Sequence, residues 1–144
     1  MNAKEYLQQY LEAESICNSK LDQLTRLHEM ATQVTAPIGS ERVQTTTENK
    51  IERIVVQIIE CEDELSESIE RLKQTGKEVE KAIACLSDIR HRKVLRYIYI
   101  DDKKIEEVAY LMNYDYYHVC HLHGFALAEI QKFASNRKTT CDKV

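Results

Sequence analysis

Between residues 116 and 123 the chain reads Tyr-Tyr-His-Val-Cys-His-Leu-His, the densest group of reactive side chains it has. Imidazole and thiolate ligate zinc, so His118, Cys120, His121 and His123 raise the question of a metal site. A thiol beside an imidazole also raises a nucleophile pair. Neither chemistry suits the spacing. On a helix His118 and His121 share one side and Cys120 and His123 another, whereas a tetrahedral site needs convergent ligands. Cys120 has no third group to orient a base and no evident pocket. A helix face exposed for recognition accounts for the same residues: Tyr hydroxyls can bond phosphate, and His can read guanine or phosphate. Cations that could meet a nucleic-acid backbone lie nearby in sequence: Arg90, Arg92, Lys93 and Arg96, then Lys103 and Lys104, then Arg137, Lys138 and Lys143. No GxGxxG or GxxxxGK[ST] stretch is present, so a Gly-rich phosphate loop is excluded. The expectation is a non-enzyme without metal or cofactor.

The elements that must position these residues are helices. The chain holds 3 Gly and 1 Pro in 144 residues, against roughly 10 and 7 at average usage. Sandwiches, barrels and βαβ folds turn often and need those residues. With 43 % apolar residues there is enough to build a core. The five Cys (Cys17, Cys61, Cys85, Cys120, Cys141) are odd in number and form no CxxC pair, a poor disulfide or zinc framework. No signal-peptide core or membrane-length apolar run occurs, so a reduced, cytoplasmic protein with no membrane partner is expected. Charge is uneven: residues 1–85 hold 10 basic and 16 acidic side chains, residues 86–144 hold 10 and 8 with four of the five His. That division suggests two tasks.

The spacing predicts a first helix from about Lys4 to Val34, with a seam through Leu7, Tyr10, Glu14, Cys17, Leu21, Leu24, His28 and Ala31. Thr35 to Thr47, which contains the only Pro, reads as a flexible connector. A second helix follows from Asn49 to Leu86, about 57 Å long. Ile51, Val55, Ile58, Glu62, Leu65, Ile69, Leu72, Gly76, Val79, Ile83 and Leu86 recur in 4-3 steps, a heptad seam. Gly76 is a candidate kink, and Glu62 suggests a wet contact. The first helix folds back on the second as an antiparallel hairpin. The seam outruns it, which predicts either self-association, as a homodimer through the long helices, or packing on the C-terminal unit.

Downstream, Ser87 and Asp88 are N-cap candidates for a helix to Ile100 with apolar Ile89, Val94, Leu95 and Ile98. A helix-turn-helix is predicted next. Lys103 to Met112 forms its first helix, Asn113-Tyr114-Asp115 its turn and Tyr116 to about Phe133 its second helix. Ala109 is small where the helices cross, Asn113 tolerates a left-handed turn, and Asp115 can cap. Val119, Leu122, Ala126, Leu127, Ile130 and Phe133 form the inward face. The fold class is therefore all-α, a long antiparallel hairpin or coiled coil followed by a helix-turn-helix bundle. The expected divisions are 1–86 scaffold, 87–134 helix-turn-helix and 135–144 basic, flexible tail.

The run Ile105-Glu-Glu-Val-Ala with Asn113, Asp115, Val119 and Ala126-Leu127 resembles the fourth conserved region of bacterial sigma factors, and Val94-Leu95-Arg96-Tyr97 resembles the helix leading into it. Over nearly its whole length the chain resembles small phage late-transcription regulators of the ArpU type. The resemblance implies binding to promoter-region double-stranded DNA, with Tyr116, Tyr117, His118, Cys120 and His121 at the base- and phosphate-reading positions. It also implies contact with host RNA polymerase, in a bacterial host cell. One departure stands out: sigma factors carry Arg, Glu and Gln there, whereas this chain has no Arg or Lys from Asp115 to Gln131. The alternative is a protein-interaction module of sigma-like fold that binds polymerase or another regulator without reading DNA.

Overall fold

The computed structural model describes the backbone of residues 2–35 and 44–141 and the side chains of residues 2–34 and 48–134. Among these residues there are five helices and no strand: α1 (Ala3–Thr35), α2 (Gln44–Ala84), α3 (Ile89–Tyr99), α4 (Ile105–Met112) and α5 (Tyr116–Cys141). The all-α expectation is met. Helix α1 retains Thr35 and α2 begins at Gln44, so helix takes both ends of the expected connector; residues 36–43 lie outside the described residues. Helix α5 runs past Phe133 to Cys141. The side chains of Arg137 and Lys138, and residue Lys143 altogether, lie outside the described residues.

The chain forms two compact units, Ala13–Leu72 and Met1–Glu12 with Lys73–Val144. In Ala13–Leu72, α1 and α2 run antiparallel. Lys20 pairs with Glu64 while the Cys61 thiol donates to the Lys20 carbonyl at 3.5 Å. Met30 and Val34 lie around the same recess as Ile54 and Gln57. The buried side chains of this pair are Ala13, Cys17 and Leu27 from α1, and Ile54, Cys61 and Leu65 from α2. That register corrects the sequence reading. Val55, Glu62 and Ile69 turn outward, as do Leu21 and His28 on α1. The apolar runs Ile54-Val55-Val56 and Ile58-Ile59 satisfy either register. Position 61 or 62 decides. Burying Glu62 would desolvate a carboxylate, whereas Cys61 is a small, soft apolar group.

In the other unit the seam of α2 follows the expected steps: Val79, Ile83 and Leu86 are buried with Ala3 and Leu7 of α1, Leu95 and Tyr99 of α3, and Ala126 and Ile130 of α5. A Cβ on Gly76 would stand 3.2 Å from Cε2 of Tyr10, so glycine here makes room for that ring. Helix α2 passes through without a break. Its seam is thus filled from within the chain along both halves.

A second cluster, Val94, Val108, Ala109, Val119 and Leu122, joins α3, α4 and α5. Asp88 caps α3, accepting from Arg90 N–H at 2.9 Å. Tyr97 to Tyr99 is helical. Ile89 and Phe133, expected inside, are exposed, and Leu127 is half-buried. Both departures fall at the margins of an apolar stripe, where a residue one position off the centre line is already turned toward solvent.

The register makes a direct forecast. Leu65→Ala should destabilise the protein by ~2–5 kcal/mol, while Ile69→Ala should stay within ~0.5 kcal/mol. Chemical denaturation of the two variants measures both; equal losses would return Ile69 to the seam.

Candidate nucleic-acid interface

The turn between α4 and α5 is built by Asn113. It is the C-cap of α4 in the left-handed conformation (φ 58°, ψ 43°), and its N–H bonds the carbonyls of Ala109 and Tyr110. The Tyr114 N–H also returns to the Ala109 carbonyl, at 3.0 Å. These two residues close the helix end and redirect the chain over two positions, a conformation Asn adopts at lower cost than other non-Gly residues. Ala109 is buried where the two helices meet. Val119, Leu122, Ala126 and Ile130 turn one side of α5 inward. Tyr116, Tyr117 and His121 are thereby exposed and Cys120 is half-buried on the outer side. The neighbouring Cys120, first through charge and then through side-chain hydrogen bonding, raises the Tyr116 hydroxyl above the ordinary tyrosine range.

The histidines of the 116–123 run go three ways. His118 packs on the Tyr114 ring, with centroids 4.4 Å apart. His121 stacks on Phe125 at 6.4 Å. The His123 Nε2 lies 2.8 Å from the Tyr99 hydroxyl, bridging α3 and α5. Among the described residues no group of three or more His, Cys, Asp or Glu is placed to hold a metal ion. Burial pushes Tyr99 up to about 12 and pushes His123 down. At neutral pH the ring is therefore uncharged, and the direction of its hydrogen bond with the hydroxyl follows the ring tautomer.

The basic side chains divide into two sets. Arg90 forks onto Asp88, with Nη2 3.1 Å from Oδ2, and holds that carboxyl below its ordinary range. Arg92 donates through Nη1 to the Leu86 carbonyl at 2.8 Å, tying α3 to the chain that enters it. Arg96 approaches Glu80 at 3.6 Å, both side chains being more than half exposed. Such a pair is weak in water and can be exchanged for a phosphate. Lys93 and Lys104 are exposed and Lys103 is half-buried, before the first turn of α4. Of the cations expected at the interface, Arg92 is thus held by a structural bond, while Lys93 and Lys104 extend into solvent.

Three features escaped the sequence reading. Tyr110 is 87 % exposed at the end of α4. Phe125 continues the ridge of Tyr117 and His121 one helical turn further on, an i, i+4, i+8 spacing legible in principle. His91 is buried on α3 with Nε2 3.7 Å from Asp88 and Nδ1 3.3 Å from Glu129 of α5. The Nδ1 is within ion-pair range yet misses hydrogen-bond geometry. No sequence pattern signals that burial.

Two outcomes follow. Arg92→Met should cost ~1–3 kcal/mol, the worth of a charged hydrogen bond, while Lys93→Met should leave the denaturation midpoint nearly unchanged. His123 makes the second. Its folded pKa lies below the unfolded value of 6.5, so the unfolded chain binds more protons. Its contribution to stability is complete above about pH 6.5 and is lost as pH falls through the depressed folded value. His123→Leu should flatten that part of the stability profile, His91 being common to both proteins. Parallel acid profiles for variant and parent would remove His123 from the balance.

A profile for a protein of unknown function, DUF1492, matches residues 33–127, about two thirds of the chain. No curated protein and no solved structure matches. The matched span takes in α2, α3, α4 and the first half of α5 as far as Leu127, including the turn at Asn113. The chain belongs to the DUF1492 family.

Proposed function

We propose that the protein binds double-stranded DNA through the α4–α5 helix-turn-helix, as a transcription regulator of the phage type resembling late-transcription regulators and the fourth region of sigma factors. The carrying observation is the left-handed Asn113 turn with Ala109 at the crossing, which leaves the first two turns of α5 outward. A helix so presented fits a major groove, about 12 Å wide. Lys93, Lys104 and Lys103 would neutralise phosphates, and Arg90 and Arg96 can trade surface carboxylates for phosphates. Tyr116, Tyr117, Cys120 and His121 would face the bases, and His118 would brace the turn through Tyr114. A regulator of this kind acts in the bacterial cytoplasm beside RNA polymerase.

A second reading draws on a separate observation. Tyr110 on α4 and Tyr117 and Phe125 on α5 are exposed aromatic side chains, and α5 carries no Arg or Lys before Lys132. Such side chains suit a protein partner, with aromatic rings as anchors.

Gel shifts at several salt concentrations separate the two. Lys93→Ala with Lys104→Ala should weaken binding equally on specific and random DNA and reduce the salt slope by about 2. Tyr117→Ala with His121→Ala should leave folding intact and cost discrimination only, at ~1–3 kcal/mol per lost base contact. Absence of binding by the parent at low salt transfers the function to the protein-contact reading.

A further inference from the structure

Helix α2 carries more apolar surface than its hairpin uses. Ile54 and Leu65 are buried against α1 and Ile58 is half-buried, yet the adjacent Val55, Val56, Ile59 and Ile69 stand in solvent. Val56 and Ile59 are 53 % and 54 % exposed. Val and Ile are inferior to Ala, Glu or Lys on an exposed helix surface, since their branched side chains lose rotamer freedom there. Four of them within fifteen positions are not what solvation alone would favour. Val55, Ile59, Glu62, Ser66 and Ile69 follow 4-3 steps, so they form a second stripe beside the buried one. It has an apolar cluster at one end, an apolar residue at the other and a carboxylate between.

The charge around this stripe selects its occupant. From Glu52 to Glu70 there are seven acidic side chains and one basic, net −6. Glu64 is engaged with Lys20, while Glu60, Glu62, Asp63 and Glu67 are exposed. A second copy docked on the same face, parallel or antiparallel, would bring this acidic centre against itself. Like charges in a contact that excludes water repel strongly.

We propose that the outer flank of α2 between Val55 and Ile69 is a docking surface for an amphipathic helix of another protein, one that carries Lys or Arg between two apolar clusters. The stripe is about 21 Å long at 1.5 Å per residue, room for four helical turns. Apolar side chains of the partner would cover Val55, Ile59 and Ile69, and its central cations would meet Glu62 and the flanking Asp63. This surface lies outside α3–α5 and does not depend on the DNA reading.

The test uses the full-length protein and a labelled synthetic 18-residue helical peptide with leucines toward both ends of one face and lysines in its centre. A scrambled peptide of the same composition keeps the charge and loses the face. Fluorescence anisotropy at about 150 mM salt should show the patterned peptide binding at least tenfold more tightly than the scrambled one. Val55→Ser with Ile59→Ser should reduce that binding tenfold or more, and so should Glu62→Lys. Both variants alter exposed positions, so the thermal melt should match the parent and confirm that they fold. Their DNA binding should equal the parent's, whereas Tyr117→Ala should leave peptide binding unchanged. Equal affinity for the two peptides would overturn the proposal in favour of simple attraction to acidic charge. So would a parent that sediments as a dimer and becomes monomeric with the serine variant, since the occupant would then be a second copy.

Discussion

A single apolar line along α2 must be covered from end to end, and the rest of the architecture answers that requirement. The helix is 41 residues long, about 62 Å, and an isolated helix of that kind would leave a continuous hydrophobic seam in water. Its first half is covered by α1. Its second half is covered by the start of α1 together with α3 and α5. Each buried Leu or Ile on the line contributes ~1.5–3 kcal/mol, so satisfying both halves within the chain is a strong preference. Ile54, Cys61 and Leu65 supply the line in one unit, and Val79, Ile83 and Leu86 supply it in the other. At Gly76 the missing side chain admits the Tyr10 ring.

Packing at one end determines what remains available for recognition. Because α5 commits Val119, Leu122, Ala126 and Ile130 to the interior, its tyrosines and His121 are left outside. Because α3 must join the end of α2, Arg92 is taken up by the Leu86 carbonyl. The cations remaining for phosphate are consequently sparse, and Tyr110, Tyr117 and Phe125 stand exposed. This is a different balance from an arginine-rich recognition helix. On the proposed DNA reading, sequence preference would rest more on hydroxyl, imidazole and apolar contacts to bases and less on bidentate guanidinium bonds.

Helix, turn and motif could all be read from residue order, because each depends on local chemistry. The scarcity of Gly and Pro and the heptad periodicity required long helices. Asp88 and Asn113 marked a cap and a left-handed turn, which are properties of a few consecutive residues. The outward set Tyr116, Tyr117 and His121 followed from the same periodicity. Tertiary structure decided everything that depended on a choice between neighbours. Ile54 or Val55, Cys61 or Glu62 and Ser68 or Ile69 satisfy the repeat equally well, since adjacent residues on a helix differ by only about 100°. The partner helix selects the pair that keeps the carboxylate in water. Which arginines are consumed, why His91 is buried between Asp88 and Glu129, and how His123 comes to meet Tyr99 were likewise settled across elements. Those contacts join residues distant in sequence, and periodicity within one helix carries no information about what lies opposite it.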